Sequence, residues 1–262
     1  MKHSYKLATA MLMLAAGQSI QAATMMVDWL VMQSGGSPAS FTMLNDSNAA
    51  VAHGSLTIIN GLAFTGLPAN RTFAAANWTS QPDVIDSASN NTAISTLEVR
   101  VAPMGGLSHY FVDILVPENQ AMVLVIGGLL KTITSSTQTV EIAAWSDSGT
   151  SGVTLRSTNA WSNGLTICNQ SVSWNPLTQI LSPAASANGD SEFAFFDVAP
   201  VIGTNGKLRL SVPAGYAVGT GDSLFIGLGT VVPEPNSLWV LALGAVFFLG
   251  RRTRELSSTH TC

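Results

Sequence analysis

Short apolar or alternating runs rich in Val, Ile, Thr, Phe and Leu recur from about residue 26 to residue 228, each bounded by Gly, Pro, Asn, Asp or Ser. Alternation with a period of two puts every second side chain on one face of an extended strand, and a short unbroken apolar run reads as a strand covered on both faces. Strands are therefore expected over Met26 to Met32, Val51 to Ile59, Ile94 to Ala102, His109 to Val116, Met122 to Thr134 and Thr139 to Trp145. Further strands are expected over Thr154 to Arg156, Leu165 to Cys168, Ser191 to Val198, Lys207 to Val212 and Ser223 to Leu228. Turn chemistry separates them, as in Ala102-Pro103-Met104-Gly105-Gly106, Val116-Pro117-Glu118-Asn119 and Thr204-Asn205-Gly206. Only Thr72 to Trp78 and Pro183 to Ala187 read as helix, and both are short. No internal repeat and no Pro-rich or charged linker divides the run. The pattern predicts an all-β protein: a single β-sandwich, jelly-roll-like, as the body of the chain.

The two ends follow a different pattern. Lys2, His3 and Lys6 precede the apolar run Leu7 to Ala16, and Gln18-Ser19-Ile20-Gln21-Ala22-Ala23 forms a small-residue exit. That order is a secretory signal, with signal peptidase expected to cut after Ala22 or Ala23. A buried amphipathic helix would need a polar face, which this segment lacks. No Cys stands at the exit, which disfavours lipoprotein anchoring. At the other end Val232-Pro233-Glu234-Pro235-Asn236 leads into the apolar segment Ser237 to Gly250, then Arg251, Arg252, Thr253 and Arg254. As a helix the apolar segment reaches only about 21 Å against a hydrocarbon core of about 30 Å, so it is a marginal span. Pro233 and Pro235 block its extension upstream, and the arginines hold the tail on the cytoplasmic side. The expected division is a leader over 1–22, the β ectodomain over 23–231, a sorting segment over 232–254 and a cytoplasmic tail over 255–262.

The Pro-Glu-Pro triplet, the apolar segment and the terminal arginines together resemble the PEP-CTERM sorting signal of exopolysaccharide-producing Gram-negative bacteria. The resemblance covers about the last 25 residues. It implies recognition by an exosortase, a membrane cysteine transpeptidase, with Pro233, Glu234 and Pro235 as the sorting motif and Arg251, Arg252 and Arg254 as the basic stop. It further implies transient anchoring in the membrane, delivery to the outer surface or extracellular matrix, and association with biofilm or exopolysaccharide. The stretch Glu255 to Cys262 departs from the usual short basic end. Two other readings stand beside this one. A GPI signal has a removable apolar tail but normally no basic stop, and a plain single-span anchor explains the stop but not the Pro-Glu-Pro.

Composition narrows the chemistry. Only 10% of residues are charged and the net charge is −4, well below the roughly 25% charged residues of average domains. The body from Ala23 to Val232 carries six cations against thirteen anions, a net of −7. No basic footprint for nucleic acid is present. Of two cysteines, Cys168 lies in the body and Cys262 in the tail, so an internal disulfide is not available and Cys168 reads as a buried small hydrophobe. The chain has no Gly-x-Ser-x-Gly, His-Glu-x-x-His, P-loop or Cys-x-x-Cys, so no catalytic residue, no catalytic activity and no required cofactor are expected. His53 and His109 read as surface or satisfied residues, and the acidic pairs Asp83 with Asp86 and Asp190 with Glu192 would serve a carbohydrate-active enzyme only if they faced one another across a groove. Calcium is the one ligand the loops suggest, at Asp46-Ser47-Asn48, Asp147-Ser148-Gly149 and Asn188-Gly189-Asp190, without any EF-hand spacing. Trp29 and Trp145 read as core. Trp78 and Trp161, flanked by amides and hydroxyls, are candidate carbohydrate contacts for a binding, adhesin-like module, against the plainer reading of caps over a sandwich end.

Overall fold

The computed structural model describes residues 24–34, 38–44, 49–63, 68–87, 89–103, 109–116, 120–129, 139–146, 149–151, 153–162, 170–185, 191–200, 207–213 and 223–232. The leader, the strand expected at Leu165 to Cys168, Pro233 to Pro235, the apolar segment and Arg251, Arg252 and Arg254 lie outside them. The strands are β1 (Met25–Ser34), β2 (Ala39–Leu44), β3 (Ala50–Ile59), β4 (Gly61–Ala63), β5 (Ala69–Phe73), β6 (Val84–Asp86), β7 (Ile94–Val99), β8 (Val101–Pro103) and β9 (His109–Leu115). They continue as β10 (Met122–Gly127), β11 (Val140–Ser146), β12 (Gly149–Ser151), β13 (Val153–Trp161), β14 (Gln170–Asn175), β15 (Ile180–Ala185), β16 (Ser191–Val198), β17 (Lys207–Pro213) and β18 (Leu224–Val232).

The all-β expectation holds, and the described helix is a single 3-10 turn at Ala75–Asn77 within the window expected to be helical. Hydrogen bonding runs without interruption through β5-β7-β18-β10-β16-β14-β15-β11-β17-β9-β3-β2-β1-β6, and a further pairing of β18 with β1 returns the ladder on itself. The sheet is thus one large, nearly closed ladder, where a two-layer sandwich has two separate sheets. One junction is thin, a single pair Gln170↔Ser191 between β14 and β16. The other is made by β1, which pairs through Met26 to Trp29 with β18 and through Leu30 to Ser34 with β2. The path ends on the short strands β5 and β6, and short edges invite less pairing with other chains. β4 and β8 form a separate two-stranded sheet.

Side-chain alternation builds two cores. Tyr110, Val112 and Ile114 of β9 pack in one cluster with Met122, Leu124 and Ile126 of β10, Phe196 of β16 and Leu208 and Leu210 of β17. The intervening residues of β10 and β16, Val123, Val125, Phe193 and Phe195, join a second cluster with Phe73, Trp78, Val84 and Ile94. The segment from β5 to β7 therefore covers the opposite face of β10, which is buried at every position. An unbroken apolar run is what such a doubly covered strand requires.

Several expected boundaries move for identifiable reasons. The strand expected to run from Met122 to Thr134 ends at Gly127, because Gly128 turns the backbone to φ +81, a conformation favoured by glycine. The run from Ile94 to Ala102 divides at Arg100, whose guanidinium donates to Ser223 Oγ (2.6 Å) and Glu98 Oε1 (3.0 Å). Thr154 to Arg156 widens to the whole of β13 through its pairing with β16. Pro183, inside a window read as helical, lies in β15 beyond the two residues paired with β11, so its missing N–H removes no bond on that side.

Candidate functional site

The two ends of the body meet at the closing junction. β1 begins just beyond the expected signal-peptidase cut, and β18 ends at Val232, one residue before Pro233. The two strands are antiparallel and in register from Met26↔Val232 to Trp29↔Gly229. Met25 N–H donates to Asp83 O at 2.9 Å and Val231 N–H to Ala121 O at 3.0 Å, so β6 and the start of β10 brace the same end. Beneath it the Ser87 hydroxyl donates to buried Asp28. The sequence placed a leader before the body and a sorting segment after it. It held no signal that β1 and β18, some 200 residues apart, are hydrogen-bonded neighbours.

Trp78 and Trp161 are also brought together, as partners in an isolated antiparallel bridge flanked by Thr79 N–H to Ala160 O (2.9 Å) and Ser162 N–H to Asn77 O (2.8 Å). Each is only 5% exposed. Trp78 Nε1 donates to Thr92 O at 2.8 Å and Trp161 Nε1 to Ala74 O at 3.3 Å. Phe73 meets Trp161 edge-on at 4.9 Å, and Phe193 and Phe195 meet Trp78 edge-on at 5.5 and 5.9 Å. The Phe193 ring in turn occupies the space where a Cβ on Gly127 would fall. In this arrangement the indoles are structural: their polar atoms are satisfied within the fold and neither offers a broad face for a sugar ring. Trp29 is buried as expected, while the side chain of Trp145 lies outside the description.

The acidic side chains are held by neighbours. Asp83 accepts from Ser157 Oγ at 3.0 Å and from Arg156 at 3.5 Å, and Arg156 donates to Asp197 at 2.7 Å. Asp86 accepts from Ser89, and Glu192 accepts the Val172 N–H at 2.6 Å. Asp190 lies outside the described residues, as do the three calcium-candidate loops apart from Gly149. His53 and His109 are exposed. Among the described residues no group of three or more His, Cys, Asp or Glu is placed to hold a metal.

β9 carries a two-pronged ion pair. Arg209 grips Asp113 with two of its guanidinium nitrogens, Nε to Oδ1 at 2.5 Å and Nη2 to Oδ2 at 2.6 Å, and Lys207 Nζ adds a bond to Oδ2 at 3.0 Å. The Arg209 guanidinium also lies 4.8 Å from the centre of the Phe111 ring. Burial pushes the Asp113 carboxyl up, but hydrogen bonds and charge from Arg209 and Lys207 outweigh it and hold the group below its ordinary value. A carboxyl lowered in the folded state stabilises above its unfolded pKa and loses that stabilisation as pH falls through the folded value. Asp113→Asn is therefore expected to cost about 2 kcal/mol at neutral pH, and the gap to wild type should narrow steadily as pH falls below about 4. Urea midpoints across that range provide the check, and a pH-independent gap would count against the pairing.

No curated protein and no solved structure matches the chain. A family model does match its end: residues 231–254 fit the PEP-CTERM protein-sorting motif. The match begins inside β18, at Val231, and runs through Pro233, Glu234 and Pro235 to Arg251, Arg252 and Arg254. The chain carries a PEP-CTERM sorting motif joined without a spacer to the last strand of its body, and that motif implies exosortase-dependent sorting of an exported protein, with exosortase as the processing partner.

Proposed function

We propose that this chain is a non-enzymatic surface or matrix protein of a Gram-negative bacterium. Its leader over 1–22 is removed by signal peptidase, its β body over 23–231 is held briefly by the apolar segment, and exosortase then processes it at Pro233, Glu234 and Pro235. The mature body stays at the outer surface or in an exopolysaccharide-rich matrix as a structural component. The observation that carries this reading is the register of β1 with β18, which joins both processed ends at one end of a nearly closed sheet. In a body so built the first and last described strands, β1 and β18, pair with each other, so that pairing does not depend on leader or tail. The scaffold reading, rather than catalysis, draws support from Asp83, Asp113, Asp197 and Glu192, each bound to a cation or a backbone N–H. A general acid or base needs a carboxyl free to exchange a proton with substrate.

Glu234→Ala in the native host is the direct test. The variant is expected to accumulate as an unprocessed precursor in the inner membrane, at least about tenfold above wild type, a change equivalent to about 1.4 kcal/mol of lost discrimination. Immunoblots of membrane, outer-surface and medium fractions read the outcome. Processing at the wild-type rate would overturn the sorting role of the triplet. Retention of the secreted wild-type protein on the host's own exopolysaccharide, measured by cosedimentation, separates a matrix component from a protein merely released.

A further inference from the structure

A hollow of about 290 Å³ opens beside the closing junction, lined by Met25 of β1, Met122 of β10, Thr154 and Arg156 of β13, Asp197 and Val198 of β16 and Val231 of β18, with Ala121 and Ala199 at its mouth. Its floor is apolar, since Met122 and Val198 are buried, while Ala121, Thr154 and Ala199 are exposed around it. One wall is polar: Arg156 is tied to Asp197 at 2.7 Å, yet the Asp197 side chain remains 45% exposed. Met25 and Met122 suit the apolar part of the lining, because their unbranched, polarisable side chains adapt to an inserted group.

The position of the hollow says what it meets. Val231 belongs both to its lining and to the matched sorting motif. Four residues, Pro233 to Asn236, separate β18 from the apolar segment at Ser237, and four residues reach at most about 14 Å. With the apolar segment in the membrane, as the sorting reading has it, the hollow is held close to the membrane, where the enzyme that reads Pro-Glu-Pro must approach. We propose that this hollow is a second docking point for exosortase, continuous with the motif: it takes an apolar side chain from an extracytoplasmic part of the enzyme, with a hydrogen-bond donor beside it directed at Asp197. The proposal rests on the sorting reading. Recognition then includes the folded body as well as the tail, so a properly closed β1–β18 junction is part of what exosortase reads.

Thr154→Trp, on β13, and Ala199→Trp, just past the end of β16, fill the mouth at exposed positions, and Thr178→Trp, on the exposed turn between β14 and β15, serves as control. Each full-length precursor is expressed in the native host beside Glu234→Ala, and conversion to processed protein is followed by pulse-chase, with resistance to added protease as the measure of folding. Conversion of the two hollow-filling variants is expected to slow about tenfold, in the range of a central interface residue, with folding and the control unchanged. If Glu234→Ala blocks conversion while both hollow-filling variants convert at the wild-type rate, the docking proposal fails and the sorting reading stands. If Glu234→Ala converts normally, the sorting reading itself fails. Faster conversion of the filled variants would assign the hollow to the chain's own tail, released by the substitution, and would also overturn the proposal.

Discussion

Trp161→Ala is expected to remove about 4 kcal/mol of stability and to lower the melting temperature on the order of 10 °C, given the size of the body. Trp161 is 5% exposed and lies under Phe73 at 4.9 Å, which also meets Phe193 at 4.6 Å and Phe225 at 5.0 Å. Its removal opens a cavity in a cluster of rings that includes Phe73, Phe193 and Phe225. It also leaves the Ala74 carbonyl without the indole N–H it accepts. Circular dichroism melts of the purified protein give the stability, and retention on the host exopolysaccharide gives the contrast. A variant that melts like wild type but loses polysaccharide retention would contradict the structural assignment and restore Trp161 as a contact residue.

The second large effect is expected at the junction. In Gly229→Val the Cβ would fall 2.1 Å from Val27 Cγ1, 3.0 Å from Asp28 O and 3.1 Å from Trp29 Cε3. Two of these neighbours are buried side chains and the third is backbone of the paired strand. Overpacking of this kind costs about 3 kcal/mol or more when the backbone must shift, and the cheapest relief is separation of β1 from β18. Amide exchange over Met26 to Trp29 and Gly229 to Val232 should accelerate well beyond that of β3 and β9, which pair elsewhere in the ladder. Uniform acceleration across the body would indicate global unfolding instead, and unchanged protection at the junction would show that β1 and β18 do not depend on this close approach.

Local pattern was enough for the class of structure and for most long strands. Met122 to Gly127 is apolar at every position and is buried on both faces, and His109 to Leu115 alternates in polarity because one face carries Tyr110, Val112 and Ile114 while Asp113, also buried, meets Arg209 on the other. Strands with weaker local character escaped. β2, Ala39 to Leu44, and the hairpin of β14 and β15 mix Ser, Thr, Asn and Pro183 with apolar residues and become strands through their partners. The strand expected to stop at Arg156 continues through Ser157, which Asp83 satisfies from far away in sequence. The same limit applied to the site. Pro-Glu-Pro, the apolar segment and the arginines were legible because recognition there is written in consecutive residues. Whether Trp78 and Trp161 face solvent or core depends on Phe73, Phe193 and Phe195 arriving from other strands, and their flanking amides and hydroxyls did not reveal it.

The central claim is that a folded β body is exported and released by processing at the junction of β18 with its tail. Mass spectrometry of terminal peptides, on native protein from the inner membrane, outer surface and medium of its own host, tests it most directly. The predicted result is a mature chain beginning near Ala23 and ending near Pro233 in the outer-surface or secreted fraction. Intact protein through Cys262, confined to the membrane, would contradict it and make this an ordinary single-span surface protein.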